Sequence, residues 1–292
     1  MKTMGEDAFA RFHPAVNFVF FVGAIGFGVV IQHPAYLLAG FLGAAFYYLL
    51  LRGRKGLKTI AAMLPLFAVL SLINPLFNTA GSRVLLRIFG RPYTLEALCY
   101  GMAIASIFLI MMLWFGCYND VLTSDKFICL FGSLAPALSL LLVMVLRMIP
   151  NLLRKARQII GAREAIGKGT AARSTRREKV RGGITVLSAL TDWALEGSLV
   201  TADSMRSRGY GAARRSNFQI YRMTARDWAL LAVLLILAAA VLAAGGTTAT
   251  YTPELSVAPL GWGFPAYCLF LLIPTALHIK EAVQWRISIS KI

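Results

Sequence analysis

Few side chains in this sequence combine the type and the spacing that catalysis or metal binding needs. The three histidines, His13, His33 and His278, stand at the ends of apolar runs with no carboxylate close by in the sequence. No His/Glu spacing fits a zinc site. We interpret them as interfacial or loop histidines, and we predict no catalytic residue, no metal site and no cofactor.

The cysteines indicate packing rather than chemistry. Cys99, Cys117, Cys129 and Cys268 form no Cys-x-x-Cys pair, and most of them fall inside apolar runs. A buried free cysteine behaves as a small apolar side chain. We therefore predict neither a disulfide nor a metal cluster.

The stretch 161–170 superficially resembles a phosphate-binding loop. A Walker A motif has four residues between its glycines and a Ser or Thr directly after its Lys. Here five residues separate Gly161 from Gly167, and Gly169 follows Lys168. The spacing argues against ATP binding, and we expect the chain itself to hydrolyse nothing.

The composition predicts the kind of element that holds these residues. Of the 292 residues, 58% are hydrophobic and 15% are charged, whereas soluble chains average about 45–50% apolar and roughly 25% charged residues. The mean hydropathy is +0.67. These values exclude a disordered chain, argue against a soluble enzyme and predict a helical protein embedded in a lipid bilayer.

Apolar residues are concentrated in runs that are candidates for membrane spans. The runs are 15–31, 35–51, 57–77, 97–115, 127–146, 228–244 and 260–278. None of the 13 acidic residues lies in the middle of the six strongest runs. A carrier driven by protons or sodium ions usually places an ionisable residue there, so the pattern counts against such a carrier.

Three basic stretches predict which side of the membrane the loops occupy. Residues 52–58, 147–181 and 206–226 carry net charges of +4, +9 and +6, which together exceed the +17 of the whole chain. By the positive-inside rule all three are predicted to be cytoplasmic, and the charge favours loops over nucleic-acid binding.

This assignment requires one run to be less than a full span. Three spans after residues 52–58 would place 147–181 outside. Pro136 interrupts the run 127–146, which leads directly into the basic region, so we predict that it leans from the bilayer into the cytoplasm. The alternative is a re-entrant stretch around 74–92.

Two amphipathic helices are predicted on the cytoplasmic side, and each ends at a glycine. The first spans 147–168, with Pro150 near its start and Gly167 at its end. The second spans 184–208 and is capped by Gly209. On pattern alone, Arg208 either faces the helix dipole or docks into an acidic groove of a soluble partner.

The second helix end resembles a known family. Residues 204–211, Ser-Met-Arg-Ser-Arg-Gly-Tyr-Gly, are similar to the second Ala-Arg-Gly-type motif of the transmembrane T component of energy-coupling factor transporters, the CbiQ-like family (EcfT). Here the motif is Ser207-Arg208-Gly209. Three further elements resemble the family: His13-Pro14, Asn74-Pro75 followed by Asn78 and Gly81, and Leu146-Arg147-Met148-Ile149-Pro150.

The first motif departs from the family pattern. Counted from Pro150, it falls at Ala165-Ile166-Gly167, where the family has Arg in the middle. Arg163 lies one helical turn earlier on roughly the same face. Either Arg163 substitutes for the missing Arg, or the first docking site is mainly apolar.

The resemblance implies a mechanism as well as a fold. T components couple two ABC-type ATPases to a small substrate-binding membrane protein, the S component, and so drive uptake of a vitamin or metal ion across a prokaryotic plasma membrane. It implies that Arg163, Ala165, Ile166 and Gly167, and Ser207, Arg208 and Gly209, couple to the ATPases. A stand-alone channel or secondary carrier is the alternative.

The predicted fold is therefore an all-α integral membrane protein, a multi-span bundle with long cytoplasmic amphipathic coupling helices. We divide it into transmembrane helices in 1–126, a coupling region in 127–226 and a transmembrane hairpin in 227–292.

Overall fold

The computed structural model describes most of the chain, in two compact units. The described residues are 8–78, 81, 83–88, 91–123, 126–127, 129–130, 136–167, 175–212, 221–251 and 255–289. Residues Met1–Phe127 and Tyr221–Ile292 form one unit, which we call the bundle. Residues Ile128–Ile220 form the other, which we call the hairpin unit.

Helices account for most of the described residues. They are a short 3₁₀ helix, Ala8–Arg11, followed by α1 (Pro14–Val30), α2 (Pro34–Arg52), α3 (Arg54–Phe77), α4 (Leu95–Val121), α5 (Pro136–Ala165), α6 (Arg176–Ser207), α7 (Ala225–Ala243) and α8 (Gly263–Ile289). Two short antiparallel pairs complete the description: β1 (Val84–Ile88) with β2 (Arg91–Thr94), and β3 (Ala249–Thr250) with β4 (Ser256–Val257).

Five helices of the bundle are long and apolar enough to cross a membrane, namely α2, α3, α4, α7 and the first 22 residues of α8. Helix α1 is equally apolar but has 17 residues, which is the lower end of the length that spans a bilayer. The prediction of an all-α, multi-pass membrane protein is confirmed at this level.

The histidines at the helix starts have a specific structural role. His13 and His33 are the N-caps of α1 and α2, and in each case the ring Nδ1 accepts a hydrogen bond of 3.2 Å from the backbone N–H two residues later. A proline follows each cap, where its fixed φ suits the first helical turn. The His-Pro pairs thus define where both helices begin.

Helix α3 runs past the predicted boundary at Asn74-Pro75. Both Pro65 and Pro75 lie inside it, and it ends at Phe77. The residues that follow form the β1–β2 pair, in which Arg87 faces Pro92. Among the described residues of 74–92, the backbone is therefore a helix end followed by a strand pair.

Aromatic side chains fill the core of the bundle around α1. Phe20 is fully buried and packs edge-on against Trp114 of α4 and stacked against Phe270 of α8, with ring centroids 5.4 and 5.2 Å apart. Glycines permit the close approach of these helices: a Cβ on Gly23 would lie 2.7 Å from the Phe270 ring. Large rings against small residues are a typical way to pack membrane helices.

Helix α5 begins earlier than predicted, which corrects the assignment of Pro150. The helix starts at Pro136, so Pro150 lies in its interior rather than near its start. Proline suits a first turn, but here the apolar run and the basic amphipathic segment form one continuous helix. Helix α5 is not among the span-type helices found in the described residues.

Helix α6 also begins earlier than predicted, at Arg176 rather than Ile184. The N–H of Thr175 donates a 2.8 Å hydrogen bond to the Glu178 carboxylate, which satisfies one exposed donor of the first turn. This bond from the Thr175 backbone holds the pKa of the Glu178 carboxyl below its usual value. The polar first turns carry no apolar periodicity, so the pattern identified only the later part of the helix.

Candidate functional site

The end of α6 has a regular glycine-capped geometry. Gly209 adopts φ +78°, in the left-handed region that favours glycine. Its N–H donates to the carbonyl of Arg206 at 2.9 Å, and the N–H of Tyr210 donates to the carbonyl of Met205 at 3.0 Å. These two bonds form a Schellman motif. Arg208 is the capping residue, the last one before the chain reverses.

The end of α5 also has a left-handed glycine, at the predicted first motif. Gly167 adopts φ +71°, and its N–H donates to the carbonyl of Glu164 at 3.0 Å. Ala165 is the last helical residue, as Ser207 is in α6. The predicted glycine endings of both helices are confirmed. Ile166 and Arg208 therefore occupy equivalent positions, directly before the glycine.

Both capping residues are exposed. Ile166 is 68% exposed, and Arg208 is also exposed. An apolar side chain exposed to this degree at a helix end contributes little to the stability of the chain itself. The equivalent positions thus present one apolar and one cationic group, each on a defined turn.

The side chain of Arg163 differs from those of Ile166 and Arg208 in its surroundings. It is half-buried, and its Nη2 lies 3.5 Å from the position that a Cβ on Gly182 of α6 would occupy. Arg163 is on the last turn of α5, and its guanidinium lies against the neighbouring helix α6. Within the structure of the isolated chain, Arg163 and Ile166 do not form one exposed group.

Helices α5 and α6 pack antiparallel to each other. The Lys155 ammonium lies 5.6 Å from the centre of the Trp193 ring, a cation–π contact. The second contact, between Arg163 and Gly182, pairs a later residue of α5 with an earlier residue of α6. The half-buried residues of α6 recur at helical spacing and include Gly182, Val186, Leu190, Trp193 and Gly197.

A second apolar stripe of α6 remains exposed. It follows the same helical spacing on a different face, with exposed fractions above 60% at Val180, Ile184, Leu187, Leu195 and Leu199. The predicted apolar face of this helix therefore divides into two parts. One part packs with α5, and the other is covered by nothing in the described residues.

The remaining side chains that could take part in chemistry, the histidines and cysteines, occupy structural positions. Within the described ranges, which include all three histidines and all four cysteines, no group of three or more His, Cys, Asp or Glu side chains could hold a metal ion. Cys117 is buried and the other cysteines are half-buried, with no disulfide between any of the four.

Sequence reasoning found both helix ends but missed the contacts at one end of the bundle. There Arg52 of α2 makes a bidentate ion pair with Asp120 of α4, at 2.6 and 3.0 Å. The Thr224-x-x-Asp227 capping box that starts α7 could have been recognised from its spacing. The long-range partners of Asp120 and Asp227 leave no local signal.

No family model matches this chain, and no curated protein matches it either.

Proposed function

We propose that this chain is the transmembrane coupling subunit of an energy-coupling factor ABC importer. In this role it links ATP hydrolysis by two partner ATPases to a small S component that carries a vitamin or metal ion. The observation that carries the proposal is the pair of matching helix ends. Ala165-Ile166-Gly167 and Ser207-Arg208-Gly209 place an exposed side chain at the same position before a glycine turn.

The two ends suit contacts with acidic and apolar grooves of partner proteins. Arg offers a planar fork of donors that pairs with carboxylates in two places. An isoleucine offers buried apolar area, about 1.5–3 kcal/mol when fully removed from water. We assign Arg208 to an acidic groove of one ATPase and Ile166 to an apolar pocket of the other.

The exposed stripe of α6 suits the S component. Leu187 and Leu195 are each more than 60% exposed, and an uncovered apolar stripe of this kind commonly marks an interaction surface. A membrane protein with an apolar cytoplasmic edge would bury it. We therefore propose that the stripe carries the S component while the helix ends carry the ATPases.

The chain is proposed to be non-catalytic and to reside in the plasma membrane of a prokaryote, with its basic stretches in the cytoplasm. Helices α3 and α4 are both long and apolar enough to cross the membrane. If both cross it, the chain after α4 is on the same side of the membrane as Arg54 and Lys55. Because residues 147–181 are strongly basic and are proposed to be cytoplasmic, this agrees with an α5 that does not cross the bilayer. ATP hydrolysis belongs to the partners.

Co-purification from membranes of the native host in mild detergent tests the proposal. The tagged chain is expected to retain two ABC-type ATPase chains and one small hydrophobic membrane protein, identified by mass spectrometry. Recovery of a homo-oligomer without ATPases, together with tight substrate binding by that chain alone, would instead favour a channel or carrier. A matched tagged membrane protein of similar size controls for non-specific capture.

A further inference from the structure

The N-terminal segment 8–13 joins several elements at one end of the bundle. Its Phe9 is fully buried and packs against Phe20 of α1, with ring centroids 5.2 Å apart. The Arg11 guanidinium pairs with Glu281 of α8. The segment is therefore anchored in the core and tied to the last helix.

Lys126 attaches the end of α4 to this segment. Its ammonium donates to the backbone carbonyls of Ala10 and Val121, the latter at 2.9 Å, and the residue is only 7% exposed. A buried ammonium requires such acceptors, because leaving it unpaired is costly. These bonds hold the chain immediately before it leaves the bundle after Phe127.

Asp227 attaches the start of α7 to the same segment. Its carboxylate accepts hydrogen bonds from the N–H of His13 at 3.0 Å, and from the N–H and hydroxyl of Thr224 at 2.8 and 2.7 Å. Asp227 is 5% exposed. These bonds hold the chain just after it re-enters the bundle at Tyr221.

The chain connects the two units at two points, which we call the crossings. Both crossings are therefore bonded to one six-residue segment. The crossing after α4 uses the carbonyl of Ala10, and the crossing before α7 uses the N–H of His13. The segment contributes a backbone group to each of these bonds. The bonds therefore depend on where the segment lies and not on which side chains it carries. Loss of either bond would let the backbone at that crossing open locally, as weakly held chain segments do.

We propose that residues 8–13 form a clasp that fixes both crossings, so that movement imposed on the hairpin unit is passed to α4 and α7 instead of being lost in loose connections. The clasp itself stands on the contacts within the bundle. Its role in transmission rests on the proposed function.

Variants of the full chain test the clasp, together with a control that removes the same charge elsewhere. Lys126→Met and Asp227→Ala each remove a tie, Lys126→Arg keeps a donor, Thr224→Ala weakens the α7 cap but keeps the bond from His13, and Lys58→Met removes an exposed lysine of α3 as the control. Hydrogen exchange is measured on peptides covering 121–127 and 221–228 in detergent-solubilised protein. Each disrupting variant should exchange about tenfold faster or more near its own crossing, Asp227→Ala should exchange faster than the cap variant Thr224→Ala, and Lys126→Arg and Lys58→Met should stay close to wild type.

The transport readout separates the clasp from the proposed function. In the assembled complex, Lys126→Met and Asp227→Ala should lower substrate uptake per ATP hydrolysed several-fold, while the amount of retained ATPase is unchanged. Unchanged exchange near both crossings would overturn the clasp, and faster exchange with wild-type coupling would overturn its role in transmission. Absence of ATPases from the wild-type complex would overturn the proposed function, and the exchange result would still decide the clasp.

Discussion

Arg208 and Ile166 occupy the same position of two glycine-capped helix ends, so their difference in chemistry has a direct consequence. A desolvated Arg paired in a groove is costly to truncate, because the partner charge is left unpaired. An isoleucine in a pocket contributes mainly buried apolar area. The two helix ends should therefore respond differently to charge substitutions and to salt.

The first prediction concerns Arg208. Arg208→Ala should weaken ATPase association by about 2–5 kcal/mol, which is roughly 30-fold or more because each 1.4 kcal/mol is about tenfold. Arg208→Glu should be worse, since like charges would meet. Arg206→Ala, on the last turn of the same helix, is the control. The measurements are ATPase pull-down and substrate uptake at matched expression, and normal uptake by Arg208→Glu would remove the coupling role from this helix end.

The second prediction concerns Ile166. Ile166→Asp should abolish docking of the end of α5, because it brings a charge into an apolar pocket, whereas Ile166→Leu should be tolerated. Arg163→Ala should have a smaller effect, since the Arg163 guanidinium lies against α6. Pull-down at two salt concentrations checks this. A stronger loss for Arg163→Ala than for Ile166→Asp would instead assign the docking role to Arg163.

At the scale of elements, α6 presents two apolar stripes that serve different purposes. The stripe with Leu190 and Trp193 packs with α5. The stripe with Leu187 and Leu195 is exposed. Substitutions on the first should affect folding, and substitutions on the second should affect only association.

The third prediction follows from this difference. The double variant Leu187→Glu with Leu195→Glu should lose the small hydrophobic partner and keep the ATPases, with an unchanged melting temperature for the isolated chain. Leu190→Glu should instead destabilise the α5–α6 pair by about 1–3 kcal/mol, since it places a charge against the neighbouring helix. Thermal unfolding and co-purification distinguish the two. Loss of stability in the exposed-stripe variant would show that the stripe is covered within the chain itself.

The sequence predicted the helices well wherever local signals and packing agree. The His-Pro pairs, the glycine ends and the apolar runs are local signals, and the structure has helices that begin at the His-Pro pairs and end at the glycines. Pro150 and Pro75 misled the boundary assignments, because proline can start or end a helix but also occurs inside long ones. In these helices the apolar pattern extends past the proline.

The candidate site was less predictable for a physical reason. The glycine turns at both helix ends are encoded locally, so the pattern predicts helix ends at Gly167 and Gly209, whereas Ser207-Arg208-Gly209 and Ala165-Ile166-Gly167 follow from the family resemblance. The placement of Arg163 against Gly182 depends on how α5 and α6 pack. The ties of Lys126 to Ala10 and of His13 to Asp227 join residues more than 100 positions apart, and no sequence period reveals them.

At the scale of the whole molecule, both crossings of the chain lie at one end of the bundle. The His13–Asp227 bond and the Arg11–Glu281 pair lie at this end. Lys126 joins it to the end of α4, near the Arg52–Asp120 pair. The basic residues that follow α2 are at the same end. If residues 52–58 are cytoplasmic, as proposed, both crossings lie on the cytoplasmic side of the membrane.

The fourth prediction tests this sidedness. In a background whose four cysteines are replaced by serine, Lys55→Cys and Thr175→Cys should react with a membrane-impermeant maleimide only from the cytoplasmic side. Thr250→Cys should react only from outside. All three positions are exposed, so reactivity reports sidedness rather than burial. Labelling of Thr175→Cys from outside would make the run 127–146 a full span.

Site-specific photo-crosslinking from the two helix ends tests the central claim most directly. A photoreactive amino acid is placed at position 166 or 208 of the tagged chain, and the membranes of the native host are irradiated. The account predicts crosslinks to ABC-type ATPase chains from both positions, and none from the control position Trp262 next to α8, which is 88% exposed. Crosslinks to lipid alone, or to no ATPase from either position, would contradict it.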